Sequence, residues 1–137
     1  MPICHCAALR RAARTITNRY DAALSPTGLT VAQFALLNGF ARLGAVSISE
    51  AARAMQLDRT TLGRNLTPLQ QAGLIELGLG TKDAREREIR LTAEGRAAIE
   101  RAAPHWKQAQ AKLEARIGAE KLETLHALLG EIEAISE

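Results

Sequence analysis

A chain of 137 residues is the length of one domain, with 47% hydrophobic residues to fill a core and only 3% aromatic. Its net charge of +3 permits an anionic partner without demonstrating one, because charge bears on association and not on fold. No apolar run approaches the ~18 residues of a membrane span, and "MPICHCAALRRAARTI" is too broken by arginines for a secretory leader; the expectation is a cytoplasmic protein with no membrane partner and with Cys4 and Cys6 as reduced thiols.

From Cys4 to Leu24, apolar residues recur at Leu9, Ala13, Ile16, Tyr20 and Leu24, the stripe of an amphipathic helix. "SPTG" (25–28) ends it with two breakers. Thr30 and Gln33 then make a capping box, with Leu29 and Phe34 as its hydrophobic staple. That helix is expected to stop near Gly44. Ser47 and Glu50 form a second capping box, opening "ISEAARAM" with Ile48, Ala51, Ala52 and Met55 on its inner side. Asp58 caps the next helix, 58–73, which carries Leu62, Leu66 and Leu69 on one side and Thr60, Arg64, Thr67 and Gln71 on the other. Helix, tight turn, helix over 47–73 is the size and order of a helix-turn-helix.

Beyond Gly73 the period changes to two. "LIELGL" and "REIRL" read as strands, with "GTKDARE" as a polar hairpin tip between them. Thr92 caps a long helix to about Ile117, kinked at Pro104. A last helix, 119–136, places Leu122, Leu125, Leu129 and Ile132 at near-heptad spacing. The expected fold is mainly α with a small β-hairpin wing.

The charge is uneven: six Lys/Arg against two Asp/Glu in 1–57, six against five in 58–92, and six against eight in 93–137. No basic run is long enough for a disordered nucleic-acid tail. The nucleic-acid signal lies instead in the second helix of the helix-turn-helix. A helix entering the major groove needs an outer face free of bulky apolar groups and rich in donors and acceptors. Thr60, Thr61, Arg64 and Asn65 supply one, and the helix N-terminus favours nearby phosphate. The plain alternative is an ordinary polar surface helix. The hairpin adds to the first reading. Lys82, Arg85 and Arg87 stand at an exposed tip where Asp83 can orient Arg85, and an arginine there can enter a narrow minor groove. By itself a charged hairpin is usually a solvated turn; directly after such a helix it is a joint signal.

The chain resembles the MarR family of winged-helix transcription regulators. The residues that carry the resemblance are "GLTVAQFALL" (28–37), "DRTTLGRNLTPLQQAGLI" (58–75), "KDARER" (82–87) and "IRLTAEGRAAI" (89–99). The resemblance spans nearly the whole chain. It implies one domain over 1–137, with a winged helix-turn-helix DNA-binding lobe at 28–92 and dimerisation helices at 1–27 and 93–137. It further implies a homodimer, built partly on Leu122, Leu125, Leu129 and Ile132, that reads double-stranded DNA at a pseudo-palindromic operator. Helix 58–73 would lie in the major groove and wing 80–88 in the minor groove, with Ser47, Arg59, Thr60, Thr61, Arg64, Asn65, Lys82, Arg85 and Arg87 as contacts. Family members are mostly repressors released by a small ligand or an oxidant. Three residues depart from or strain the pattern. Gly63 replaces a frequent hydroxyl residue, Glu88 follows Arg87 where paired arginines are usual, and Pro68 frees the carbonyl of Arg64.

No cofactor is required on this reading, and the effector stays open: a small aromatic or apolar ligand, or an oxidant. For a ligand, Tyr20, Phe34, His105 and Trp106 are candidate pocket residues; the alternative makes Trp106 a core or dimer anchor and His105 a solvent-facing residue. For an oxidant, Cys4 and Cys6 lie just before Arg10 and Arg11, whose charge would favour thiolate. Cys-His-Cys could also ligate a metal. On a helix, positions 4 and 6 point about 200° apart and can neither share a metal nor bond each other; in an extended N-terminus they could converge, or pair across a dimer, and two inert thiols at a helix start fit the same letters. No nucleophile-base pair, phosphate-binding glycine loop or metal-ligand motif argues for an enzyme. A winged-helix protein-interaction module without specific DNA binding is the remaining alternative.

Overall fold

The computed structural model describes residues 2–135; the last position of the helix expected over 119–136 lies outside them. Six helices and three short strands follow in order: α1 (His5–Leu24), α2 (Val31–Leu43), β1 (Val46–Ser47), α3 (Ile48–Ala54), α4 (Arg59–Gln71), β2 (Ile75–Leu79), β3 (Arg87–Leu91), α5 (Ala93–Ile117) and α6 (Ala119–Glu133). This is a mainly helical winged-helix fold. None of the described helices is long and apolar enough to cross a membrane.

Local signals account for most boundaries. Ser25–Thr27 form a single 3-10 turn after α1. The Thr30–Gln33 capping box of α2 closes in both directions, at 3.1 and 3.0 Å, and Leu29 and Phe34 are both buried. Asp21 on α1 accepts the Val31 N–H at 2.8 Å and so ties the first two helices together. At α3 only half of the expected capping box forms: Ser47 Oγ accepts the Glu50 N–H at 3.1 Å. Ser47 also lies in β1, opposite Glu88 of β3. That two-residue strand has no alternation to betray it, and the expected hairpin is in fact a three-stranded antiparallel sheet of order β1-β3-β2.

Two helix ends fix the helix-turn-helix. After α3, Gln56 N–H reaches Arg53 O and Leu57 N–H reaches Ala52 O, with Gln56 at φ 56°. After α4, Gly73 and Leu74 repeat the pattern onto Gln70 and Leu69, with Gly73 at φ 75°. Both are left-handed helix stops. Glycine adopts that backbone freely, whereas Gln56 does so at a steric cost. Thr92 then caps α5 through Gly95 N–H at 3.0 Å and donates its hydroxyl to Gly73 O at 2.7 Å. This joins the end of the helix-turn-helix to the start of α5, which runs unbroken past Pro104.

One core fills the lobe. Leu24, Leu37, Leu62 and Ile89 have no exposed surface, and Phe40, Leu66, Leu69 and Ile75 are within 2% of that state. Burying each such side chain contributes roughly 1.5–3 kcal/mol. The other end of the molecule differs. Along α1 only Tyr20 and Leu24 of the apolar stripe are buried, while Leu9 and Ile16 stay exposed. No described residue of α6 is buried at all.

Candidate nucleic-acid interface

Helix α4 is anchored from below. Leu62, Leu66 and Leu69 are buried in the core, so helical geometry turns Thr60, Arg64, Thr67 and Gln71 to the opposite side. All four are exposed. Arg59 and Asn65, also exposed, flank that face. Thr67 stands one turn beyond Arg64 and belongs to the same surface, although the expected contact set ends at Asn65.

The first turn departs from expectation. Asp58 accepts the Thr61 N–H and the Thr61 hydroxyl, both at 2.7 Å. Those bonds, the backbone one first, hold the Asp58 carboxyl below the usual aspartate range. The hydroxyl hydrogen of Thr61 is therefore spent inside the protein, and the anion-binding end of α4 already faces a carboxylate of its own chain. Ser47 is likewise engaged, its oxygen capping α3.

The wing projects beside α4. Arg85 points well outward, with 92% of its side chain exposed. Its backbone N–H and its Nε both reach Asp83 Oδ1, at 3.0 and 3.3 Å, so the expected orienting contact forms. Lys82 and Arg87 are exposed, and Arg87 pairs in register with Leu79. The loop closes tightly, with Gly80 N–H on Glu86 O at 2.9 Å and Glu86 N–H on Asp83 O at 3.0 Å. A Cβ on Gly80 would lie 2.4 Å from Asp83 O, so glycine is required there by close approach.

The sequence marked Glu88 only as a departure from the family pattern and gave it no structural role. Strand alternation sets it on the solvent side, opposite Ile89, yet it is only 5% exposed. It accepts hydrogen bonds from Thr81 and from the Arg90 guanidinium, and Thr81 N–H, then Arg90, then the Thr81 hydroxyl hold its carboxyl below the usual glutamate range. Arg90 is thereby occupied as well. The nearest signal in the sequence was the like-spaced pair Glu88 and Arg90, two residues apart on one strand face.

The four candidate pocket residues do not converge. Phe34 and Trp106 pack ring to ring, centroids 6.0 Å apart, and Trp106 rests against the core as an anchor. His105 is half-buried. Tyr20 alone lines a groove of about 800 Å³ between α1, α5 and α6. Its hydroxyl donates to Gln110 Oε1, and burial, followed by the charge of Glu114, holds the phenol above its ordinary pKa. Leu122, Leu125 and Leu129 form the α6 wall of that groove; Ile132 is exposed beyond it.

Cys4 and Cys6 are free and exposed. Cys4 is the N-cap of α1, in extended backbone, and its Sγ accepts the Ala7 N–H at 3.4 Å. The two thiols line one shallow depression with Arg10, Arg11 and Arg14. Cys4, His5 and Cys6 are not gathered into a metal-holding group, nor is any other such group found among the described residues.

Comparison with known proteins places this geometry. A family model described as MarR family matches residues 27–86. The HTH-type transcriptional repressor Rv2887 of Mycobacterium tuberculosis is 31% identical over 111 residues, 81% of this chain and 80% of that protein. The structure of the M. tuberculosis transcriptional regulator MosR in complex with DNA superposes with a TM-score of 0.82 at 39% identity, covering 96% of both chains. A mutant of Escherichia coli MarR complexed with operator DNA matches in fold, with a TM-score of 0.84 at 23% identity over 92% of this chain and 91% of that one.

Proposed function

The chain belongs to the MarR family of DNA-binding transcriptional regulators, and we propose that it acts as a homodimeric repressor reading a pseudo-palindromic operator. One observation carries this. The leucine triad of α4 is buried while Thr60, Arg64 and Thr67 face out, beside a wing whose Arg85 is exposed and braced by Asp83. Such a helix fits the major groove, and such an arginine fits the minor groove next to it. That MosR has been crystallised with DNA supports the same reading. A lobe binding one half-site places its copy about one helical turn away. The partner copy would cover the apolar groove of α1, α5 and α6.

We place the release signal in one of two chemistries. A small aromatic or apolar ligand would lodge against the helices around Tyr20. An oxidant would act at Cys4. Its thiolate would attack a peroxide oxygen, forming a sulfenic acid and releasing the other oxygen as hydroxide. With the first turn of α1 unwound, so that the chain from Cys4 to Cys6 is extended, the Cys6 thiol would then condense with that sulfenic acid, giving a disulfide and water. This disulfide would withdraw the sulfur cap from the Ala7 N–H.

The test is a fluorescence-anisotropy titration against the DNA directly upstream of the protein's own gene, with random DNA at equal salt as control. Arg64→Ala is expected to weaken specific binding by about 1–3 kcal/mol through a base contact. Arg85→Ala is expected to weaken binding more evenly across sequences and to flatten the salt dependence. If both variants bind specific DNA like the parent, this assignment of contacts fails; if the upstream DNA and random DNA bind equally weakly, an interaction module without DNA specificity gains. Repeating the titration after mild peroxide separates the two signals. Loss of binding, reversed by thiol and abolished in Cys4→Ser, supports the oxidant; no change supports the ligand.

A further inference from the structure

A carboxylate taken out of water is unfavourable unless its lone pairs are met. Glu88 meets them with four donors, and the two oxygens divide the work. Oε2 accepts the Thr81 N–H at 3.1 Å and the Thr81 hydroxyl at 2.9 Å; Oε1 accepts Arg90 Nε at 3.1 Å and Nη2 at 2.9 Å. One carboxylate thus joins the limb leaving β2 to the limb that forms β3, at the root of the wing. Glu86, two residues earlier, adds a tie to α3, accepting the Ser49 hydroxyl at 3.3 Å. Beyond these ties only the tip is free, and Arg85 projects from it.

We propose that Glu88 is the positioning residue of the wing: by holding Thr81 and Arg90 together it sets the direction in which Arg85 approaches DNA. The proposal rests on the wing contact put forward above. Its physical basis is pre-organisation. An arginine on a loose hairpin loses loop freedom when it enters a groove, whereas on a fixed root that loss is already met in the free protein. The clamp also takes up the Arg90 fork, leaving Lys82, Arg85 and Arg87 as the outward cations of the hairpin. Glu88 therefore contributes to DNA binding although it repels phosphate.

Two measurements test this. The first is a double-mutant cycle in DNA affinity, using a duplex selected by the parent protein from a random-sequence pool. Glu88→Ala is expected to weaken binding about tenfold in the parent, yet less than about twofold when Arg85→Ala is already present. Glu88→Gln, which keeps the shape and one acceptor oxygen, is expected to recover part of the loss. Equal losses in both backgrounds, or Glu88→Ala binding like the parent, would overturn the proposal. The second is amide hydrogen exchange in the free protein. Glu88→Ala should speed exchange at Thr81 at least tenfold, and Arg85→Ala should leave it unchanged. This arm separates the two readings. If Arg85→Ala binds DNA like the parent, the wing contact fails, while faster Thr81 exchange in Glu88→Ala still shows the clamp; unchanged exchange removes the clamp as well. Should Glu88→Ala melt below the assay temperature, Thr81→Val removes one of the four donors and carries the same cycle with a loss of about threefold.

Discussion

In α4, Leu62, Leu66 and Leu69 are sunk in a closed core, and apart from Pro68 the side chains the helix exposes to solvent are polar. In α6, Leu122, Leu125 and Leu129 recur at similar spacing, yet none is buried, and Leu125 and Leu128 are 43% and 51% exposed. The two helices differ in what surrounds them and not in their pattern. Helix α4 packs on α3 and β2, and its leucines share one core cluster with buried residues of α2, β3 and α5, whereas α6 packs chiefly on α5. The winged lobe completes its interior within one chain. The helical end leaves an apolar groove of about 800 Å³ open between α1, α5 and α6. Monomers rarely leave large apolar patches uncovered, and this open groove is where the proposed dimer would place its second copy.

The largest expected effect breaks this contrast at its open end. Leu125→Asp with Leu129→Asp places two charges in the groove wall and should yield monomers. A monomer binds one half-site without its tethered twin, so operator affinity should fall roughly 10²–10⁴-fold. Sedimentation velocity and anisotropy read the two consequences separately. A double variant that stays dimeric would show that the groove is not the interface.

The next effect sharpens the contrast from the closed side. Leu66 is 2% exposed, and Leu66→Ala should cost about 2–5 kcal/mol of stability by leaving a cavity under α4. The same change at Leu128 on α6, half in solvent, should cost well under 1 kcal/mol in a monomeric background. Equal losses at the two positions, measured by denaturant unfolding, would mean that α6 is as fully packed as α4.

How much of this was legible in the letters follows the same division. Local chemistry was readable: the Thr30–Gln33 box, the Asp58 and Thr92 caps and the Gly73 stop rest on contacts within a few residues, and the leucine side of α4 follows from helical spacing alone. What escaped depends on residues brought together from afar. β1 is two residues long and exists only because β3 lies beside it. Glu88 reads as a surface charge until Thr81 folds back over it across the hairpin. Phe34 and Tyr20 looked like neighbours in one pocket, but Phe34 turns to Trp106 while Tyr20 turns to Gln110. Gln56 in left-handed backbone has no glycine or asparagine to announce it. At Thr61 the sequence showed a free hydroxyl, and only the geometry shows it bound to Asp58.

The smallest effect concerns the finished helix itself. Gly63 lies in the interior of α4, where glycine costs about 0.5–1 kcal/mol against alanine. Nothing in the protein demands it: a Cβ there would meet no atom within 4 Å, and its backbone is not among the positive-φ glycines. Gly63→Ala should therefore raise the melting temperature by roughly 2–6 °C. Its effect on DNA decides what the glycine does. The side chains of Thr60, Arg64 and Thr67 reach further than one methyl group, so a duplex resting on them should leave room, and affinity should stay within about twofold of the parent. Higher stability together with a tenfold loss of binding would place the α4 backbone at Gly63 against the DNA itself. The glycine would then be held for that approach, and the stability it forgoes would be the cost of bringing the helix so close.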